Sequence, residues 1–156
     1  LGLRVAAFDP YMERSPVEGV EMVKDFRAIL PETDFLCLHL PSTPETRDLI
    51  GAGELALLKR GAFVLNCARG GIVDEDVLCD ALESGHLGGA GLDVFAKEPP
   101  DTAHRLFRQE KVLLSPHNAA LTEECAIRMA VQNVLDCLDG KLQPRVVMNR
   151  REIGMA

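Results

Sequence analysis

Basic residues are in deficit: 17 Lys and Arg stand against 24 Asp and Glu, a formal net charge of -7. That balance argues against a nucleic-acid partner held by phosphate contacts, and no basic run marks a membrane surface. No apolar stretch approaches the ~20 residues that cross a bilayer as a helix. No charged-then-apolar leader of the secretory kind is present. Five cysteines occur, an odd count, and no Cys-x-x-Cys pair is among them. Neither a disulfide framework nor a metal site is therefore expected. Cys37 and Cys67 lie in apolar strand-like runs, and Cys79, Cys125 and Cys137 in helix-like ones. The expectation is reduced, mostly buried thiols in a cytoplasmic protein. Internal repeats and low-complexity stretches are lacking too. What is there is one domain's length of chain, 47% hydrophobic, enough to bury a core.

The chain alternates short apolar runs with segments of helical period. Strands are expected over residues 4–8, 20–23, 35–40, 62–66, 89–94 and 111–114. Helices are expected over 26–30, 44–58, 74–84 and 122–138. Asp74 and Thr122 are placed as starts, the latter followed by Glu123 and Glu124; Gly85 and Gly140 are placed as stops. Leu49, Ile50, Leu55 and Leu58 are spaced for one buried face of the second helix. This alternation implies a Rossmann-type, doubly wound parallel α/β sheet. Ligands then bind at the carboxyl ends of the strands. The G-x-G-x-x-G loop and the strand before it are lacking from the sequence. Leu1-Gly2-Leu3 reads as the end of the helix that would follow them.

The polar residues of interest follow the strands. Asp9 ends the first strand present, where a carboxylate accepts adenosine ribose hydroxyls and repels a 2′-phosphate, favouring NAD over NADP. Its alternative is a turn before Pro10, and Arg14 close by softens the preference. Asn66-Cys67-Ala68-Arg69-Gly70-Gly71-Ile72-Val73-Asp74-Glu75 leads from a strand into a helix. Arg69 at that turn suits a substrate carboxylate, since a guanidinium binds both oxygens in a fork. An ordinary turn with a solvated Arg is its alternative. Glu98 and His117 supply a carboxylate and an imidazole. A His donates a proton to a carbonyl oxygen as hydride reaches carbon, and a Glu raises its proton affinity. His39 at a strand end, His86 capping carbonyls at a helix end and His104 in a polar loop are its competitors.

Leu38-His39-Leu40-Pro41-Ser42-Thr43, the 66–75 stretch, Gly91-Leu92-Asp93-Val94-Phe95 with Glu98-Pro99, and Ser115-Pro116-His117 stand in an order that resembles the D-isomer-specific 2-hydroxyacid dehydrogenases. The resemblance covers nearly the whole chain. It implies an NAD-dependent oxidoreductase that interconverts a small D-2-hydroxy acid and its 2-keto acid. Arg69 would hold the substrate carboxylate and carbonyl, His117 would be the acid/base and Glu98 its partner. Cofactor contacts would come from Asp9, from Asp93 at the nicotinamide amide, and from His39, Pro41, Cys67 and Ala68. Asn118-Ala119-Ala120 departs from the family's Ile/Gly-rich run and would tune the nicotinamide side. Glu98, where formate dehydrogenases of similar fold carry Gln, argues against formate. Residues 1–142 would form a partial NAD-binding domain, and 143–156 would return to an absent substrate domain. A homodimer joined through the cofactor domain is implied. Two other readings stay open: a corepressor-like module with NAD as conformational ligand, and an inactive truncated remnant.

Overall fold

The computed structural model describes residues 2–119, 121–122, 128 and 130–141. They fall into two compact units, Leu1–Pro116 and His117–Ala156. In the first unit, β1 (Val5–Ala7) pairs in parallel with β2 (Val20–Met22). A second parallel sheet contains β3 (Phe35–Leu38), β4 (Phe63–Asn66), β5 (Gly89–Leu92) and β6 (Val112–Leu114), in that order. Its helices are α1 (Ala52–Leu57) and α2 (Glu75–Glu83), with 3-10 turns at Phe26–Glu32 and Arg105–Arg108. The architecture is the Rossmann-type parallel sheet that the alternating pattern implies. Among the described residues β1 and β3 do not pair with each other, and their sheets are separate. In a doubly wound order the strand that precedes the glycine loop belongs between them.

Register explains the core. Leu36, Val64, Ala90 and Val112 lie side by side across the four strands, as do Leu38, Asn66, Leu92 and Leu114. This face packs on Leu55, Leu58, Leu78 and Leu82 of the helical layer, with Ile72, Leu87 and Leu106 filling in. The opposite face carries Phe35 stacked on Phe63 at 5.5 Å, and Leu113, all largely exposed.

Local chemistry sets the helix ends. Asp74 accepts from the N–H groups of Asp76 and Val77 at 3.0 and 3.1 Å, satisfying donors that the first turn of α2 leaves open. Glu75 and Asp76 complement the positive end of the helix dipole. Gly85 adopts φ 68 and lets the chain leave the helix, as the sequence implies. The 3-10 turn at Arg105–Arg108 is clasped to α2: Arg105 pairs with Asp80, and His104 Nε2 lies 3.4 Å from Asp76.

The helix expected over 44–58 is corrected to Ala52–Leu57. Residues 44–48 form turns, because Thr46 Oγ accepts the Thr43 N–H at 2.7 Å and donates to the Pro41 carbonyl at 2.8 Å. Asp48 then turns left-handed, with φ 50. Ile50 forms a parallel bridge with Val73, donating to Ile72 O at 3.0 Å and accepting from Asp74 N at 3.1 Å. Ile50 is thus buried by strand-like pairing rather than by helical spacing.

The cysteines also differ from expectation: of the four described, only Cys79 is buried, while Cys37, Cys67 and Cys137 are exposed. Cys37 sits on an edge strand, on the face opposite the α1 and α2 layer, and Cys67 opens into a cleft. Cys125 lies outside the described residues. So do Glu123 and Glu124 of the last expected helix; Thr122 is in a bend and α3 (Ala130–Leu138) is helical, ending before Gly140 at φ 68. Residues 143–156 are outside the described residues as well.

Candidate functional site

The carboxyl ends of β3 and β4 form the walls of an open cleft of about 330 Å³, lined by His39, Leu40, Pro41, Cys67, Ala68 and Arg69. Five of the residues singled out in the sequence therefore meet in one place. Asn66, 2% exposed at the end of β4, shapes this cleft. Its Oδ1 accepts from Ala68 N and its Nδ2 donates to Arg69 O, both at 3.1 Å. A buried amide so satisfied fixes the turn that presents Arg69. The guanidinium is exposed and curls back, Nη1 donating to Ala68 O at 2.7 Å.

The next strand end is tied to the same turn. Asp93 N donates to Asn66 O at 3.0 Å. The Asp93 carboxylate is 3% exposed, and Ser115 Oγ donates to its Oδ1 at 2.5 Å. A buried carboxylate must be held by donors, and Ser115 at the end of β6 is one. Gly70 packs on the loop after β5 so closely that a Cβ there would stand 1.7 Å from the Phe95 carbonyl oxygen. That loop is held by Glu98 Oε1, which accepts Phe95 N–H at 3.1 Å, and by Glu75 Oε1, which accepts Ala96 N–H at 2.6 Å. The Glu98–Pro99 peptide is cis. Loss of water around its sulfur pushes the Cys37 thiol above its ordinary pKa, and the nearby Cys67 adds to this.

Among the other expected residues of the first unit, Asp9 does not line the cleft. Asp9 follows β1 on the separate two-stranded sheet; its Oδ1 accepts Tyr11 N–H at 2.8 Å, so it does form the turn considered as its alternative. His117 and Asn118 are exposed and begin the second unit. His117 has a left-handed backbone, φ 53. Of the competing histidines, His39 lines the cleft. His86 Nε2 lies 2.9 Å from the Leu55 carbonyl of α1, so it joins two helical segments rather than capping α2. His104 caps the 3-10 turn, its Nδ1 accepting Leu106 N–H at 3.2 Å. Asn66, Glu75 and Ser115 have roles that the sequence reading did not assign; the only signal was their place directly after strands or at a helix start.

These residues fit the nicotinamide end of a dinucleotide: a cleft at strand carboxyl ends, a buried carboxylate acceptor beside it, and backbone brought close by Gly70. Among the described residues, no group of three His, Cys, Asp or Glu side chains is placed to hold a metal ion, and no helix is long and apolar enough to cross a membrane.

Comparison with known proteins agrees with that geometry. Residues 1–119 match the profile of the NAD binding domain of D-isomer specific 2-hydroxyacid dehydrogenases. The chain is similar to the D-3-phosphoglycerate dehydrogenase of Methanocaldococcus jannaschii, with 39% identity over 151 residues that cover 94% of this chain and 29% of that protein. A D-isomer specific 2-hydroxyacid dehydrogenase from Lactobacillus delbrueckii ssp. bulgaricus, solved in its NAD complexed form, superposes with TM-score 0.76 at 31% identity, covering 88% of this chain and 47% of that one. Another from Xanthobacter autotrophicus Py2, in complex with NADPH and MES, gives TM-score 0.75 at 35% identity, covering 90% and 59%. The chain spans less than a third of the length of the curated relatives it matches.

Proposed function

Since the chain belongs to the D-isomer-specific 2-hydroxyacid dehydrogenase family, whose NAD-binding domain it carries, we propose that it is the cofactor-binding part of an oxidoreductase acting on a small D-2-hydroxy acid and its 2-keto acid. The observation that carries this reading is the cleft at the ends of β3 and β4, with Arg69 on its rim and the buried Asp93 tied to its base through Asn66. When bound, NAD supplies the hydride acceptor in oxidation and, reduced, the donor. Arg69 leaves the Ala68 carbonyl and forks onto the substrate carboxylate, holding the carbonyl carbon in place. His117 delivers a proton to the carbonyl oxygen and takes it back in the reverse direction. Glu98 is assigned as the carboxylate partner of that imidazole. Asp93 accepts the nicotinamide carboxamide, and Asp9 accepts the adenosine ribose hydroxyls. His39, Pro41, Cys67 and Ala68 pack against the cofactor, and Asn118 borders the nicotinamide side. Three exposed free thiols among the described residues support a reducing compartment, and we assign the cytoplasm. A homodimer joined through this domain completes the reading.

The direct test is a titration with NADH, followed by the fluorescence of the reduced nicotinamide. Saturable binding to the full-length protein, with turnover of a 2-keto acid, is the expected result; a folded protein that never saturates sinks the proposal.

Two substitutions probe the roles. Arg69→Ala is expected to lower kcat/KM for the keto acid by about 30-fold or more, the equivalent of ~2 kcal/mol for a lost charged fork. Unchanged kinetics would return Arg69 to a solvated turn. Asp9→Ala is expected to lower the preference for NAD over NADP by about tenfold, or ~1.4 kcal/mol, as the repulsion of a 2′-phosphate is removed. Comparing kcat/KM for the two cofactors decides it: an unaltered ratio leaves Asp9 as the turn residue that its bond to Tyr11 shows.

A further inference from the structure

We infer that Ser115 is a positioning residue for the cofactor: it sets the Asp93 carboxylate in the orientation that accepts the nicotinamide carboxamide N–H. The inference rests on the reading of the cleft as the nicotinamide site. Ser115 is the first residue after β6 and Asp93 the first after β5. The sheet registers them, because Leu92 faces Leu114 and Ser115 N donates to Leu92 O at 3.0 Å. Main chain and side chain thus act together: the ladder brings Oγ to the Asp93 side chain, and Oγ donates to Oδ1 at 2.5 Å. A hydroxyl has one proton to give, and here it goes to the carboxylate.

An ionised carboxylate only accepts, and its plane turns about a soft terminal torsion. Asp93 is 3% exposed, so water does little to fix that torsion. Its main chain is pinned by the bond to Asn66 O, and Asn66 in turn holds Ala68 and Arg69 of the cleft. The backbone of Asp93 is therefore fixed from β4 and its side chain from β6. Ser115 is half-buried and its hydroxyl proton is committed to Asp93, through which it acts on the ligand.

The experiment compares two ligands by calorimetry in the full-length protein: NADH and its 3-acetylpyridine analogue, which keeps the ring carbonyl but lacks the amide N–H. In Ser115→Ala the NADH dissociation constant is expected to rise about tenfold. That of the analogue is expected to change less than about twofold, so the preference for the carboxamide collapses. Ser115→Thr keeps a hydroxyl and is expected to restore it. Ser115→Cys, a weak donor of similar shape, is expected to fall between and serves if the alanine variant does not fold. Equal weakening of both ligands means a merely structural hydroxyl and overturns the inference, as does an unchanged preference in both the alanine and cysteine variants. Failure of the unaltered protein to bind NADH overturns the cofactor reading and this inference together, which separates the two failures.

Discussion

His117→Ala is expected to lower turnover by about 10²–10⁴-fold, the usual contribution of a positioned acid/base, while NADH binding persists. The expectation comes from chemistry first. Reduction of a keto acid places negative charge on an oxygen that needs a proton, and an imidazole titrates in the range where it both gives and takes one. The backbone adds a second argument. His117 has φ 53, a left-handed conformation uncommon outside glycine. Such conformations cost energy and cluster where function fixes a side chain. Steady-state kcat for keto-acid reduction, with NADH affinity measured alongside, decides the matter. Surviving turnover would transfer the role to His39, the histidine that lines the cleft. Loss of NADH binding with turnover would show a cofactor contact instead.

Gly70→Ala is expected to lose stability and activity together. Its Cβ would stand 1.7 Å from Phe95 O and 2.2 Å from Phe95 C, and neither atom is the end of a flexible side chain. The backbone of one loop must move. Overpacking of this kind costs about 1–3 kcal/mol and occasionally more. The loop that moves carries Arg69 on one side or Glu98 on the other, and Glu98 is tied to Phe95 N–H itself. Displacement of a positioning group by ~1 Å costs about 100-fold in rate. Urea unfolding and kcat/KM read the two effects. Gly53→Ala is the control: it lies in α1 with nothing within 4 Å of a new Cβ, and a gain of about 0.4–1 kcal/mol is expected there. A Gly70→Ala protein as stable and active as the parent would mean that the two loops separate at little cost.

The parts of the site legible in the sequence were those whose neighbours are local. Asp74 caps the helix one residue on, and Gly85 ends it. Arg69 follows β4 and His39 follows β3, so the rule that ligands sit at strand carboxyl ends points both to one cleft, while Pro41, Cys67 and Ala68 beside them are implied by the family resemblance. The spacing of Leu49, Ile50, Leu55 and Leu58 predicts a helix over 44–58, but Thr43, Thr46 and Asp48 form competing side-chain and backbone bonds. The bridge from Ile50 to Val73 joins residues more than twenty apart, and periodicity carries no signal of it. The exposure of Cys37 has a related reason: apolar runs do not say which face of an edge strand is covered.

The sequence by itself determined the alternation of strands and helices, the order of the strands along the chain and the residues that follow them, because each depends on contacts within a few residues. Tertiary structure alone decided the sheet order, the approach of Gly70 to Phe95, and the string from Ser115 through Asp93 to Asn66. Those pairings bring together groups tens of residues apart. Their partners are chosen by sheet register and by the need of buried polar atoms for hydrogen bonds, which no local pattern encodes.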